Sequence, residues 1–311
     1  MSHKISRRDF IKHTATQAIG LGLGLSSLGS LSFSQQKRGI EKRPLGKTGL
    51  DVTILGLGCA TIGSGRLSVA EGAKIVEACI DAGINYLDCA STYGNAEVKV
   101  GEVMKTRRKE VVLATKTLER DKEDAWREIN RSLERLKTDR LDLLQIHSIN
   151  RMEELDRITS KEGSFGSVIR AKDEGLCSHI GITGHTRPAV IKEALNRFPF
   201  ETTLVPLSST DKLLNDFGDV LFPLAKEIGF GIVAMKVLAA GGVTEYVEES
   251  LRYAFSLPIS TAIIGMGSLD EVRQNVEVAK SFKPMSASEM AALVEKTKRY
   301  ATTSVMWWKR T

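Results

Sequence analysis

Residues 84–116, INYLDCASTYGNAEVKVGEVMKTRRKEVVLATK, set two short apolar runs, 84–88 and 111–115, on either side of a loop and a helical stretch. The runs are rich in aliphatic residues and free of Pro, as buried parallel strands are. The first delivers Asp88 and then, in a loop of Ser, Thr, Gly and Asn, Tyr93; the second delivers Lys116. Comparable runs at 52–57, 141–146, 179–183, 202–207, 230–235 and 260–264 start roughly thirty residues apart, and most intervals between them carry helical periodicity. Eight strands alternating with helices in a chain of 311 residues predict an α/β protein with the (β/α)8 TIM barrel architecture.

Helix signals support the beat. Ser68-x-x-Glu71, Ser268-x-x-Glu271 and Ser286-x-x-Glu289 each match a capping box, and Trp126, Ile129, Leu133 and Leu136 share one helical face. A doubly wound dinucleotide fold would place G-x-G-x-x-G at its first strand-to-helix turn. None of the 27 glycines begins that pattern, and Gly56, Gly58 and Gly63 after the first run have the wrong spacing. The phosphate loop G-x-x-x-x-G-K-[ST] is absent as well, which removes P-loop chemistry. Ahead of the barrel, RGIEKRPLGKTGLDVTILGLG (38–58) reads as an N-terminal β-hairpin turning at Gly46-Lys47-Thr48-Gly49.

The formal charge of +6 is local. Residues 1–43 hold eight Lys and Arg against Asp9 and Glu41, so the remainder is formally neutral and offers no electrostatic footprint for nucleic acid. The excess belongs to ISRRDFIKHTATQAIGLGLGLSSLGSLSF, a basic start followed by a Gly-rich, weakly apolar stretch and small residues, the layout of an export signal. SRRDFIK, Ser6 to Lys12, resembles the twin-arginine signal, with Ile11 where Leu is most usual. The expected organisation is a signal peptide at 1–34, a linker at 35–43 and a barrel at 44–311. A periplasmic or otherwise exported location, with the export machinery as a partner, follows from that reading. Cys59, Cys79, Cys89 and Cys177 form no C-x-x-C pair and are expected as buried thiols, and no histidine lies in H-E-x-x-H, so no metal site is expected.

A barrel builds its working face at the carboxyl ends of its strands. Three consecutive strands there deliver Asp88, Lys116 and His147, with Tyr93 between them. Each alone has a plain structural explanation, but their convergence suits proton delivery to a carbonyl oxygen. A phenol ordinarily titrates near ~10, and an adjacent ammonium favours its phenolate. Asp88 would hold Lys116 charged and oriented, Lys116 would lower the pKa of Tyr93, and His147 would direct the substrate oxygen.

RPLGKTGLDVTILGLG, NYLDCASTYGNAE, VVLATK and DLLQIH resemble, in order, the hairpin and the Asp, Tyr, Lys and His segments of the aldo-keto reductases, and the resemblance extends over essentially all of 41–311. It implies a catalytic tetrad of Asp88, Tyr93, Lys116 and His147. It also implies NADP(H) or NAD(H) as cofactor, and a small carbonyl or alcohol substrate. The cofactor side departs from the common pattern. Thr183, Gly184 and His185 replace Ser-Asn, Leu204 replaces Gln, and Met235 followed by Lys236 replaces the Tyr that stacks on nicotinamide. Cofactor contacts are therefore expected at Thr183, Met235 and Lys236. Others are expected at Gly265, Gly267 and Ser268, whose place before a helix N-terminus suits an anion, and at Asn275. Glu271 at a position often basic in NADP-selective members leaves NADP only slightly ahead of NAD. Trp307 and Trp308 on the C-terminal tail are expected to pack on the barrel exterior, with a cover over the pocket as the alternative. Two further readings share these residues: an exported enzyme that retains its cofactor and alternates oxidised and reduced substrates, and a cofactor-sensing partner subunit like the potassium-channel β-subunits.

Overall fold

The computed structural model describes residues 39–310. The signal peptide read at 1–34 lies outside the described residues. Strands β1 (Lys42–Pro44) and β2 (Asp51–Thr53) form the antiparallel hairpin, with Lys42 opposite Thr53 and Pro44 opposite Asp51. Gly46 has φ +58°, and a Cβ there would lie 2.3 Å from the Gly231 nitrogen, so the turn is pressed against the barrel floor. Leu45, fully buried, enters the interior beside Tyr86, Leu143 and Val233. The Arg43 guanidinium donates to the carbonyls of Phe255 (2.8 Å) and Ile259 (3.2 Å). The folded body therefore reaches back into the segment 35–43 read as linker, because that arginine ties the hairpin to the barrel wall.

Strands β3 (Leu55–Gly58), β4 (Tyr86–Asp88), β5 (Val112–Thr117), β6 (Leu141–Ile146), β7 (Cys177–Thr183), β8 (Thr202–Pro206), β9 (Gly231–Met235) and β10 (Thr261–Ile264) close into a parallel barrel, β10 pairing with β3. The single run 52–57 is divided at Ile54: its first residues complete the hairpin and its last enter the barrel. Helices α1 (Val69–Asp81), α2 (Ala96–Arg107), α3 (Lys122–Leu136), α4 (Met152–Thr159), α5 (Phe165–Asp173), α6 (Pro188–Arg197), α7 (Gly218–Ile228), α8 (Val247–Ser256), α9 (Leu269–Lys280) and α10 (Ala287–Thr297) follow in chain order. The main core lies between this ring and the strands, and a smaller one fills the barrel.

The boxes at Ser68 and Ser286 are reciprocal, but the one at Ser268 is not. Ser268 does accept the Glu271 N–H, yet the Glu271 carboxylate accepts from the Gly267 N–H at 2.6 Å instead of from Ser268. After α10 the chain returns across the carboxyl ends of the strands and ends in a short turn, Trp307–Lys309.

Candidate active site

The parallel register brings the site together. Asp88 stands opposite Ala114 on β5, and Lys116, one pleat further along, stands opposite Gln145 on β6. Lys116 Nζ lies 2.5 Å from Asp88 Oδ2 with neither side chain exposed, and it also donates to the Cys89 carbonyl at 2.6 Å. Gln145 Nε2 donates to the other Asp88 oxygen at 2.9 Å. The buried carboxylate and ammonium are thus paired and hydrogen-bonded at once, the condition under which burying both is tolerated. The Tyr93 hydroxyl is 3.4 Å from Lys116 Nζ.

Tyr93 sits in a tight loop held by its own N–H on the Ala90 carbonyl, and by its carbonyl accepting from Ala96. A Cβ at Gly63 would be 1.9 Å from the Tyr93 carbonyl oxygen, so the loop after β3 packs directly on the Tyr93 backbone. The His147 N–H continues the ladder to the Thr117 carbonyl, and its ring meets Tyr93 edge-on at 5.8 Å. The structure brings Asp88, Tyr93, Lys116 and His147 to one place.

The electrostatics differ from expectation in one sign. Burial pushes the Tyr93 phenol above its ordinary value, and this outweighs the downward pull of Lys116. The net shift is upward because a phenolate is costly in a desolvated site. Lys116 is itself held above the usual lysine range: burial works against its charge, but Asp88 and the polar groups around it more than offset that. His147 is driven down to about 2, chiefly by burial and then by Lys116, so its imidazole is neutral. Its Nδ1 is buried with no partner among the described residues.

From Tyr93 and His147 a cleft of about 700 Å³ opens past Ser148, Asn150, His185 and Lys236 to Trp307 and Trp308. Two of these residues, Ser148 and Lys236, have φ +61°, a conformation that costs a non-glycine residue energy and clusters where function requires it. Asn150 organises the wall: its Oδ1 accepts from the His185 and Thr186 N–H groups, and its Nδ2 donates to Ser148. The tail residues line this cleft, and Trp308 also packs on Ala239, Val243 and Met306. Lys309 pulls them there through an ion pair with Asp211 at 2.9 Å, buried on both sides.

The expected cofactor contacts separate. The Thr183 hydroxyl already accepts the Ser148 N–H at 2.7 Å, and Met235 is buried in the inner core. Lys236 Nζ lies over the rings of Trp307 (4.9 Å) and Trp308 (5.2 Å), on the cleft. Gly265, Gly267 and Ser268 lead from β10 into α9, on which Asn275 is buried. A Cβ on Gly265 would be 2.1 Å from Thr61 Oγ1, so the Thr61 side chain packs directly on this backbone. The unpartnered His147 nitrogen and the open cleft beside it fit a polar ligand at the barrel mouth.

The aldo/keto reductase family profile matches residues 54–250. The chain belongs to this family. It is an oxidoreductase by that membership. This aldo/keto reductase is 26% identical to an oxidoreductase of Bacillus subtilis, YqkF, over 84% of its own length and 97% of the relative's. It is 28% identical to the L-galactose dehydrogenase of Arabidopsis thaliana, over 83% and 96%. Among solved structures, the holo form of an aldo-keto reductase from Bacillus halodurans, AKR11C1, superposes with a TM-score of 0.71 at 27% identity, covering 83% of this chain and 96% of that one.

Three participants were absent from the sequence reading. Gln145 lies two residues before His147, on the strand whose exit was read, and period-two alternation gives it the same side of the sheet. Ser148 and Asn150 follow His147 directly, but their roles rest on backbone bends that no residue type announces.

Proposed function

We propose that this aldo/keto reductase reduces aldehydes or ketones, or oxidises the corresponding alcohols, using NADP(H) or NAD(H), with Tyr93 as general acid. The observation that carries the reading is the Lys116 ammonium, fixed by Asp88 and the Cys89 carbonyl and 3.4 Å from the Tyr93 hydroxyl. The burial that raises the phenol's pKa keeps it protonated at rest, as a proton donor must be. As the proton passes to the carbonyl oxygen, the charge left on Tyr93 faces a permanent cation. That interaction strengthens only as the reaction proceeds, which makes it catalytic. His147, neutral and edge-on to Tyr93, orients the carbonyl oxygen as a hydrogen-bonding partner without competing for the proton.

The nicotinamide, when bound, supplies the hydride that adds to the carbonyl carbon. Thr183, Met235, Lys236, Gly265, Gly267, Ser268 and Asn275 are the residues that would hold it. The Glu271 carboxylate on the Gly267 N–H supports use of NADH, because negative charge there disfavours a further phosphate. Export through the twin-arginine route, with 1–34 as signal, rests on SRRDFIK and the excess of basic residues in 1–43.

A carbonyl screen with both cofactors, followed by nicotinamide absorbance, tests the activity. Oxidation of cofactor that depends on an added aldehyde or ketone is expected, and none with any carbonyl would overturn the reading. Replacing Arg7 and Arg8 together by Lys is expected to abolish export. Export undiminished in that variant would remove the twin-arginine assignment.

A further inference from the structure

The phenol and the ammonium of the site belong to different elements, so the distance between them depends on what ties those elements together. Tyr93 leads into α2, whose first N–H, on Ala96, donates to the Tyr93 carbonyl at 3.0 Å. Lys116 is on β5, where Thr115 and Thr117 flank it and alternation turns their side chains away from the barrel interior, towards the helices. Across that gap the Thr115 hydroxyl donates to Glu97 Oε1 at 2.7 Å, both side chains being buried. Among the described residues this is the one hydrogen bond that joins α2 to β5. It lies four residues beyond the phenol and one before the ammonium. The Cys89 and Ser91 N–H groups also bind β5, at the Ala114 and Lys116 carbonyls, but they hold the exit of β4, ahead of Tyr93.

A plain core role does not account for Glu97. Its other oxygen, Oε2, is buried without a hydrogen-bond partner among the described residues, and the Arg135 guanidinium lies 3.7 Å away on a partly exposed side chain. A buried carboxylate oxygen left unpaired costs stability, and an apolar side chain would fill the space without that cost. Glu128 is different. It takes the Thr117 hydroxyl at 2.6 Å, but the same oxygen also accepts the Leu118 and Glu119 N–H groups and so caps the strand exit. What Glu97 adds over an apolar residue is one directed bond to Thr115. From the same helical turn Lys99 Nζ donates to the Ile62 and Ser64 carbonyls, at 2.6 and 3.2 Å, in the loop packed on the Tyr93 backbone. The start of α2 is thus held from the β3 side by Lys99 and from the β5 side by Glu97.

We infer that Glu97 is a positioning residue: through Thr115 it sets α2 against β5 and so holds the Tyr93 hydroxyl 3.4 Å from Lys116 Nζ. Its effect on rate rests on the carbonyl-reductase reading; its effect on geometry does not. Asp88 and the Cys89 carbonyl fix the ammonium, so slack in α2 is felt at the phenol alone. A misplacement of about 1 Å in such a pair lowers the rate by as much as ~10².

The test divides the bond at each end. Thr115→Val removes the hydroxyl and keeps the shape, whereas Thr115→Ser keeps the hydroxyl; Glu97→Leu and Glu97→Gln divide the acceptor in the same way. Val100→Ala, which trims a core side chain of α2, is the comparator for lost stability. Single-turnover reduction with cofactor prebound and cofactor affinity are measured on each. Thr115→Val and Glu97→Leu are expected to lower the rate about ten- to a hundredfold with cofactor affinity kept. Thr115→Ser and Glu97→Gln are expected to recover most of it, and Val100→Ala to leave it unchanged. Glu97→Leu combined with Thr115→Val is expected to lose no more than either alone, since both remove the same bond. A full rate in Thr115→Val, or an equal loss in Val100→Ala, would overturn the inference while leaving carbonyl reduction intact.

A second measurement needs no turnover. In a crystal structure of Thr115→Val the Tyr93 hydroxyl is expected to stand beyond hydrogen-bond reach of Lys116 Nζ. A separation unchanged from 3.4 Å would overturn the inference even if every carbonyl proved inert.

Discussion

Among the described residues two lysine–aspartate pairs are buried, and their surroundings differ. Lys116–Asp88 and Lys309–Asp211 are alike in that none of the four side chains is exposed. In the first, the ammonium reaches past its carboxylate to a phenol that faces an open cleft. In the second it ends on Asp211 and the Asn215 carbonyl, and the carboxylate turns back into the protein through Ser208. On the proposed mechanism the same ion pair is catalytic where it is wired to a reacting group and a fastener where it is not. Burial alone does not tell the two apart; the third partner does.

The comparison can be broken by removing each cation. Lys116→Met leaves Asp88 buried without its counter-ion and Tyr93 without its cation. It is expected to cost about 3–5 kcal/mol of stability and to cut turnover by ~10²–10⁴, read by denaturant unfolding and by steady-state rates. Lys309→Met is expected to cost a similar ~3–5 kcal/mol while changing kcat no more than about tenfold, the loss falling mainly on KM as Trp308 and Arg310 leave the cleft. Equal loss of kcat in the two variants would erase the distinction.

A paired replacement sharpens it. Asp211→Leu with Lys309→Met substitutes apolar groups for both ions, and most of the lost stability is expected to return. The corresponding Asp88→Leu with Lys116→Met is expected to recover stability without recovering turnover. Thermal unfolding and rate assays on the four proteins settle the matter.

The smallest effects concern pH. His147 and His185 titrate at about 2 and about 3 in the folded protein, mainly through burial, against an ordinary 6.5. Below pH 6.5 the unfolded chain takes up protons that the folded one refuses. Their contribution is therefore complete above pH 6.5 and is lost as pH falls towards those folded values. The melting temperature is expected to decline across that acid range, less steeply in His147→Gln. Turnover in the same range is expected to show no inflection near pH 6.5, since His147 stays neutral. An inflection there that vanished in His147→Gln would mean that the imidazole titrates.

The barrel and the four converging side chains were legible because they depend on period and position alone. A strand's last residue lies at the working face whatever surrounds it, so Asp88, Lys116 and His147 could be read from where their runs stop. The sign of the Tyr93 shift was not legible, since it is set by how completely neighbouring loops, Gly63 among them, exclude water. Which of their two expected places Trp307 and Trp308 take was hidden for a different reason. It depends on Lys309 finding Asp211, a contact between distant segments that leaves no local pattern. The hairpin itself was legible in 38–58, but what fastens it, Arg43 binding carbonyls around α8, is equally non-local.

The phenol at position 93 as proton donor is the claim on which the mechanism stands. Tyr93→Phe removes one oxygen and keeps the ring against His147, so single-turnover reduction with cofactor prebound isolates that oxygen. The expected result is a rate lower by ~10²–10⁴ with cofactor affinity preserved. A rate within a few-fold of wild type would contradict it.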